Sequence, residues 1–117
     1  MVLYETNELA LYQIDMELRT WIEREGLVVE LVSLLGNAHH RDRVLDVMVT
    51  YRVQTVYHAA AYKHVPIVEQ NVIEGIHNNV MSTWNTAEAA HDALVKRNFD
   101  VRVRLPADRM TGVCRAS

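Results

Sequence analysis

Apolar residues recur along the chain in two periods, and their alternation predicts its elements. Residues 1–4 are apolar and run into Glu5, Thr6 and Asn7, the pattern of a buried strand closing in a polar turn. Leu11, Ile14, Leu18 and Trp21 or Ile22 then recur at three- and four-residue spacing. That spacing predicts a helix with one buried face, opened by Asn7 as N-cap and stopped by Gly26. Residues 27–35 are strongly apolar and predict a strand that ends at Gly36. Val44, Val47, Met48 and Tyr51 return to helical spacing, and residues 54–57 form a short strand by propensity. Pro66 opens a further helical stretch with Val68, Val72 and Ile76 on its inner face. Residues 78–94 read as a long helix turning Val80, Trp84, Ala87 and Leu94 to the core. Finally Phe99, Val101, Val103 and Leu105 alternate with Asp100, Arg102 and Arg104, a half-exposed strand before a turn at Pro106. Strands and helices alternate throughout, which predicts an α/β fold of parallel strands with right-handed crossovers.

Composition narrows the function. The 117 residues are one domain in size, half of them hydrophobic and 23% charged, as in a folded soluble protein. A net charge of −3 provides no basic field for nucleic acid. No apolar run approaches the roughly 18 residues of a membrane span, and no signal peptide is evident. A single cysteine, Cys114, excludes an intrachain disulfide and fits the reducing cytoplasm. It has no base placed beside it to make it a nucleophile. Six histidines stand in the chain, none with cysteine or carboxylate at structural-zinc spacing, so no metal is expected. Met16, Met48 and Met81 read as core filler.

The segment richest in chemistry is 58–66, HAAAYKHVP. It follows a predicted strand at its carboxyl end, where open α/β sheets bind ligands. Three successive alanines open the backbone to a flat or charged ligand, and Lys63 with two histidines sets donors at the rim. The same small residues also serve close packing of helix on strand.

Residues 58–90, HAAAYKHVPIVEQNVIEGIHNNVMSTWNTAEAA, resemble the core signature of the bacterial polysaccharide-biosynthesis nucleotide-sugar dehydratases and epimerases. These are extended short-chain dehydrogenase/reductases and include UDP-N-acetylglucosamine 4,6-dehydratases. ALYQIDMEL at 10–18 resembles the helix after that family's second strand, and LLGNAHHRDRV at 34–44 its loop after the third. The likeness runs from Val2 to about Lys96. It implies a partial Rossmann-like parallel sheet with flanking helices over residues 1–97, lacking the first strand and the glycine-rich loop. Residues 98–117 are a divergent strand and tail. It further implies NAD or NADP as cofactor, a UDP-N-acetylhexosamine as substrate, and a role in capsule, O-antigen or glycan synthesis.

Site residues carry over position by position. Glu5, Thr6 and Asn7 match the turn at the adenosine ribose, where a carboxylate accepts from hydroxyls; a solvated turn glutamate is the competing reading. Asn37 stands where the family has an aspartate at the adenine, and Ala38 packs on the adenine face. Ala59, Ala60 and Lys63 match the loop beneath the ribose and nicotinamide, with Lys63 and His64 toward the sugar nucleotide. Asn79 matches a helix asparagine that supports the strand ends, capping or packing being the alternative.

The resemblance assigns no catalytic residue. The family's Ser/Thr-x-Asp-Lys stretch is missing from residues 98–117, and Cys114 stands where the lysine after a Pro-x-x-x-Met stretch is expected. The expectation is therefore a fragment, from a truncated or frameshifted gene, with little or no turnover alone. The alternative is a noncatalytic Rossmann-like module that self-associates, since an unpaired sheet edge seeks a partner.

Overall fold

The computed structural model describes residues 1–60, 69–97 and 102–104. Their order is β1 (Val2–Glu5), α1 (Glu8–Arg24), β2 (Val32–Leu35), α2 (Arg41–Thr50), β3 (Thr55–Tyr57), α3 (Val72–Arg97) and β4 (Arg102–Arg104). Alternating elements and parallel pairing establish the expected α/β class. The chain divides into two compact units, Met1–Asn37 and Ala38–Ser117.

In the first unit β1 and β2 pair in parallel, Val2 opposite Val32 and Glu5 opposite Leu35, with α1 as the crossover. Asn7 caps α1 as the sequence predicts, its side chain accepting from the Ala10 amide at 3.0 Å. Gly26, at φ +64°, ends it. The Gly26 amide donates to Glu23 O and the Leu27 amide to Ile22 O, the paired bonds of a Schellman turn. Leu11, Ile22 and Leu31 are buried. Of the alternatives at the end of the α1 stripe, Ile22 is inside and Trp21 is exposed, as is Ile14. A polar clamp supplements this small core. Asp15 on α1 takes a bidentate fork from Arg19, at 2.7 and 3.1 Å, and the Ser33 hydroxyl of β2 at 2.6 Å. Arg19 also donates to Leu31 O, at 3.3 Å. These hydrogen bonds, the Arg19 fork foremost and Ser33 second, hold the Asp15 carboxyl below the usual carboxylate range.

In the second unit β3 and β4 pair in parallel, Thr55 opposite Arg102, and the long helix α3 lies between them in sequence. Helix α2 packs on α3. The α2 stripe places Val44 and Met48 in the core, while Tyr51 is exposed. Its end repeats the hook of α1, with Arg52 bonding to Val49 O and Val53 to Met48 O. Here the left-handed position, φ 49°, is held by Arg52 rather than a glycine.

Two expectations for α3 are corrected. Val72, Ile76, Val80, Trp84, Ala87 and Leu94 are all exposed. The buried face is instead Ser82, Thr86, Ala89, Ala90 and Ala93. Both faces repeat with helical period, and the face of small side chains is the one that approaches its neighbours closely. Met48 alone of the three core-filler methionines is buried; Met16 and Met81 are exposed. Pro66, Val68, Phe99, Val101, Leu105, Pro106 and Cys114 lie outside the described residues.

Candidate functional site

In the first unit, parallel pairing brings the carboxyl ends of β1 and β2 side by side. Glu5 stands at the end of β1, and the Gly36 amide after β2 donates to its carbonyl at 3.0 Å. The Glu5 side chain folds over the turn that follows it. Its Oε1 accepts from the Thr6 amide (2.8 Å), the Thr6 hydroxyl (3.1 Å) and the Asn7 amide (3.0 Å). Among the described residues Oε2 takes no hydrogen bond, so the turn is built on one carboxylate oxygen alone. Asn7 has its side-chain oxygen committed to the helix cap. Asn37 is exposed beside this turn, and its carbonyl accepts from the Tyr4 hydroxyl at 3.3 Å. Glu5, Thr6, Asn7 and Asn37 thus share one end of a strand pair.

In the second unit, α3 holds two loops on two polar faces. One loop follows β3. His58 is buried there, and its Nε2 lies 3.1 Å from the Thr83 hydroxyl. That hydroxyl gives its only proton to Asn79 O at 2.8 Å, so His58 Nε2 carries the hydrogen in their contact. The Ser82 hydroxyl donates to Ala60 O at 3.5 Å, the long end of hydrogen-bond range. Ala59 and Ala60 are exposed above this anchor. The other loop precedes α2 and contains Ala38, half-buried. Asn85 Nδ2 donates to His39 O at 2.9 Å, His39 Nε2 meets Asn78 Oδ1 at 3.0 Å, and the His77 ring lies 5.7 Å from that of His39. Arg41, the first residue of α2, pairs with Asp92 and, at 3.5 Å, with Glu88. Its Nε forms no hydrogen bond at that distance, so the Glu88 contact is electrostatic only.

Asn79 lies on α3, its Oδ1 accepting from Asn78 Nδ2 at 3.1 Å. Lys63 and His64 lie outside the described residues. Asn78, Asn85, Ser82, Thr83 and Thr86 are additions to the residues singled out from the sequence, where His39 is weighed only as a metal ligand. The signal for some of them was the seven-residue interval from Asn78 to Asn85 and on to Asp92, which sets three polar groups on one helical stripe. Among the described residues, no three histidine, cysteine or acidic side chains converge as metal ligands.

The chain was compared with known proteins. The family described as "Polysaccharide biosynthesis protein" matches residues 1–103, which reaches through β4. Capsular polysaccharide biosynthesis protein CapD of Staphylococcus aureus is 37% identical over 97 residues, 83% of this chain and 16% of that protein. Probable polysaccharide biosynthesis protein EpsC of Bacillus subtilis (strain 168) is 40% identical over 67 residues, 57% of this chain and 11% of that one. An uncharacterized membrane protein of Methanocaldococcus jannaschii is 32% identical over 93 residues, 80% of this chain and 25% of its own. The X-ray structure of Pen from Bacillus thuringiensis matches with a TM-score of 0.62 at 27% identity, covering 76% of this chain and 25% of that chain. The chain therefore spans between 11% and 25% of the length of the relatives named here. No helix among the described residues is long and apolar enough to cross a membrane. With a family match over residues 1–103 and a relative 37% identical over 83% of this chain, the chain belongs to the polysaccharide biosynthesis protein family.

Proposed function

We propose that this chain is the cofactor-binding part of a cytoplasmic nucleotide-sugar 4,6-dehydratase or epimerase, built on a Rossmann-like sheet. It binds NAD or NADP and serves a UDP-N-acetylhexosamine in capsule, O-antigen or glycan synthesis, with little or no turnover by itself. The observation that carries this reading is the division of labour in Glu5. One oxygen is consumed by the turn, and the other, which takes no hydrogen bond among the described residues, stands at a parallel strand end, where a ribose hydroxyl can donate to it. Glu5, Thr6, Asn7 and Asn37 in the first unit, and Ala38, Ala59, Ala60, Lys63 and Asn79 in the second, are assigned to the cofactor. Lys63 and His64 are assigned to the sugar nucleotide. When bound, the nicotinamide supplies the hydride acceptor. Calorimetric titration with NAD and NADP tests the reading. Binding of either, weakened by Glu5→Ala, is the expected result; no heat with either dinucleotide overturns it. Incubation with NAD(P) and UDP-N-acetylglucosamine is expected to leave the sugar unchanged, and release of a 4-keto sugar would show that the chain turns over alone.

One observation favours a second reading, a noncatalytic module that self-associates. Helix α3 exposes Ile73, Ile76, Val80, Trp84 and Leu94 at helical spacing, a stripe costly to leave in water. Sedimentation across a concentration series tests it. Self-association abolished by Trp84→Glu supports this reading, and a monomer at every concentration removes it.

A further inference from the structure

The segment before α2 is held in an unusual way. His40 occupies the N-cap position of α2 and makes no side-chain cap bond, so the helix does not anchor its own entrance. The anchor comes from α3 instead, through three residues at intervals of seven. Asn78 takes the His39 ring, Asn85 takes the His39 carbonyl, and Asp92 takes the Arg41 guanidinium. Seven residues are nearly two helical turns, so the three groups form a straight rack along one side of the helix. The middle contact is the one made to the main chain. Asn78 has its nitrogen committed to Asn79 Oδ1, so its oxygen faces His39 and the ring donates from Nε2. With ring and carbonyl both fixed, the Cα of His39 and the peptide between His39 and His40 are held in place, and Ala38 is joined directly to that fixed point.

We infer that Asn85 is a positioning residue for nucleotide binding, holding the His39 carbonyl so that Ala38 is presented to the adenine ring. The inference rests on the cofactor reading above. Asn85 touches no ligand. It acts by removing conformations of residues 38–40 that binding would otherwise have to select against.

The test compares two halves of the dinucleotide, AMP and nicotinamide mononucleotide, titrated by NMR into the wild-type chain and into Asn85→Asp. The substitution keeps the shape of the side chain and removes the donor. AMP affinity is expected to fall about tenfold, the scale of one lost hydrogen bond, while nicotinamide mononucleotide affinity stays within about twofold. Equal AMP affinity in both chains overturns the inference and leaves the cofactor reading standing. An equal loss of both halves also overturns it, because a merely structural residue would act on both. A wild-type chain that binds neither half overturns the cofactor reading itself, and the inference with it. Should Asn85→Asp fail to fold, Asn85→Gln replaces it; the amide is retained but displaced by one methylene, and the same selective loss of AMP is expected.

Discussion

The ring of Tyr4 occupies the space that a β-carbon on Gly36 would need. Glycine is required at this position for room and not for a special backbone angle. Its neighbour Asn37 accepts the Tyr4 hydroxyl, so the ring is tethered at the edge of the candidate site. Gly36→Ala is expected to swing the ring away, break that tether and destabilise the first unit by about 1–2 kcal/mol. Most of that cost should vanish in a Tyr4→Ala background, since the clash then has no partner. Urea midpoints for the four chains of this double-mutant cycle check it.

Asp15 gives the fold a dependence on acid. Its carboxyl is held below its unfolded value, so its stabilisation is complete above about pH 4 and is lost as the pH falls through the folded value. Asp15→Asn is expected to flatten the acid limb of stability below about pH 4 and to lower stability at neutral pH. Denaturant midpoints from pH 7 down to pH 3 are the measurement.

Arg41 bridges α2 to α3 from a half-buried position, and Asp92 is more enclosed still. Arg41→Met should cost about 1–2 kcal/mol, between the values for exposed and buried pairs. Arg41→Lys should recover only part of this, because a single ammonium replaces the guanidinium fork. Thermal unfolding of the two variants, with Asp92→Asn closing the cycle, separates charge from packing.

Arg52 ends α2 in a conformation that glycine adopts without strain. The side chain is exposed, so replacing it sacrifices no core contact. Arg52→Gly is expected to raise stability by about 0.5–1 kcal/mol, visible as a higher melting temperature. An unchanged or lower melting temperature would show that the side chain contributes more than the backbone strain removes.

Local signals carried much of the fold. The order of strands and helices, the Asn7 cap and the Gly26 stop all depend on residues close together in sequence, and each stands where its neighbours demand. The failures share a cause. In α3 two faces compete with the same period, one of large apolar residues and one of alanine, serine and threonine. Hydrophobicity alone favours the wrong one. His39 is 46 residues from Asn85, and no periodicity links positions so far apart. The positive φ of Arg52 has no sequence signal either, since the hook it completes is usually made by glycine. At the site, the strand-end placement of Glu5 was legible from the apolar run and polar turn. The fate of its two oxygens depends on how Thr6 and Asn7 turn their amides, which emerges only in three dimensions.

Helix α3 grips its two loops partly through the main chain, at His39 O and Ala60 O. A carbonyl is common to every amino acid, so these grips do not depend on which side chain the loop bears. Exchanging the side chain at residue 60 therefore leaves that grip in place, and the hold on the His39 carbonyl asks nothing of the side chain at residue 38. Side-chain identity and loop anchorage are thereby assigned to separate atoms of the same short segments.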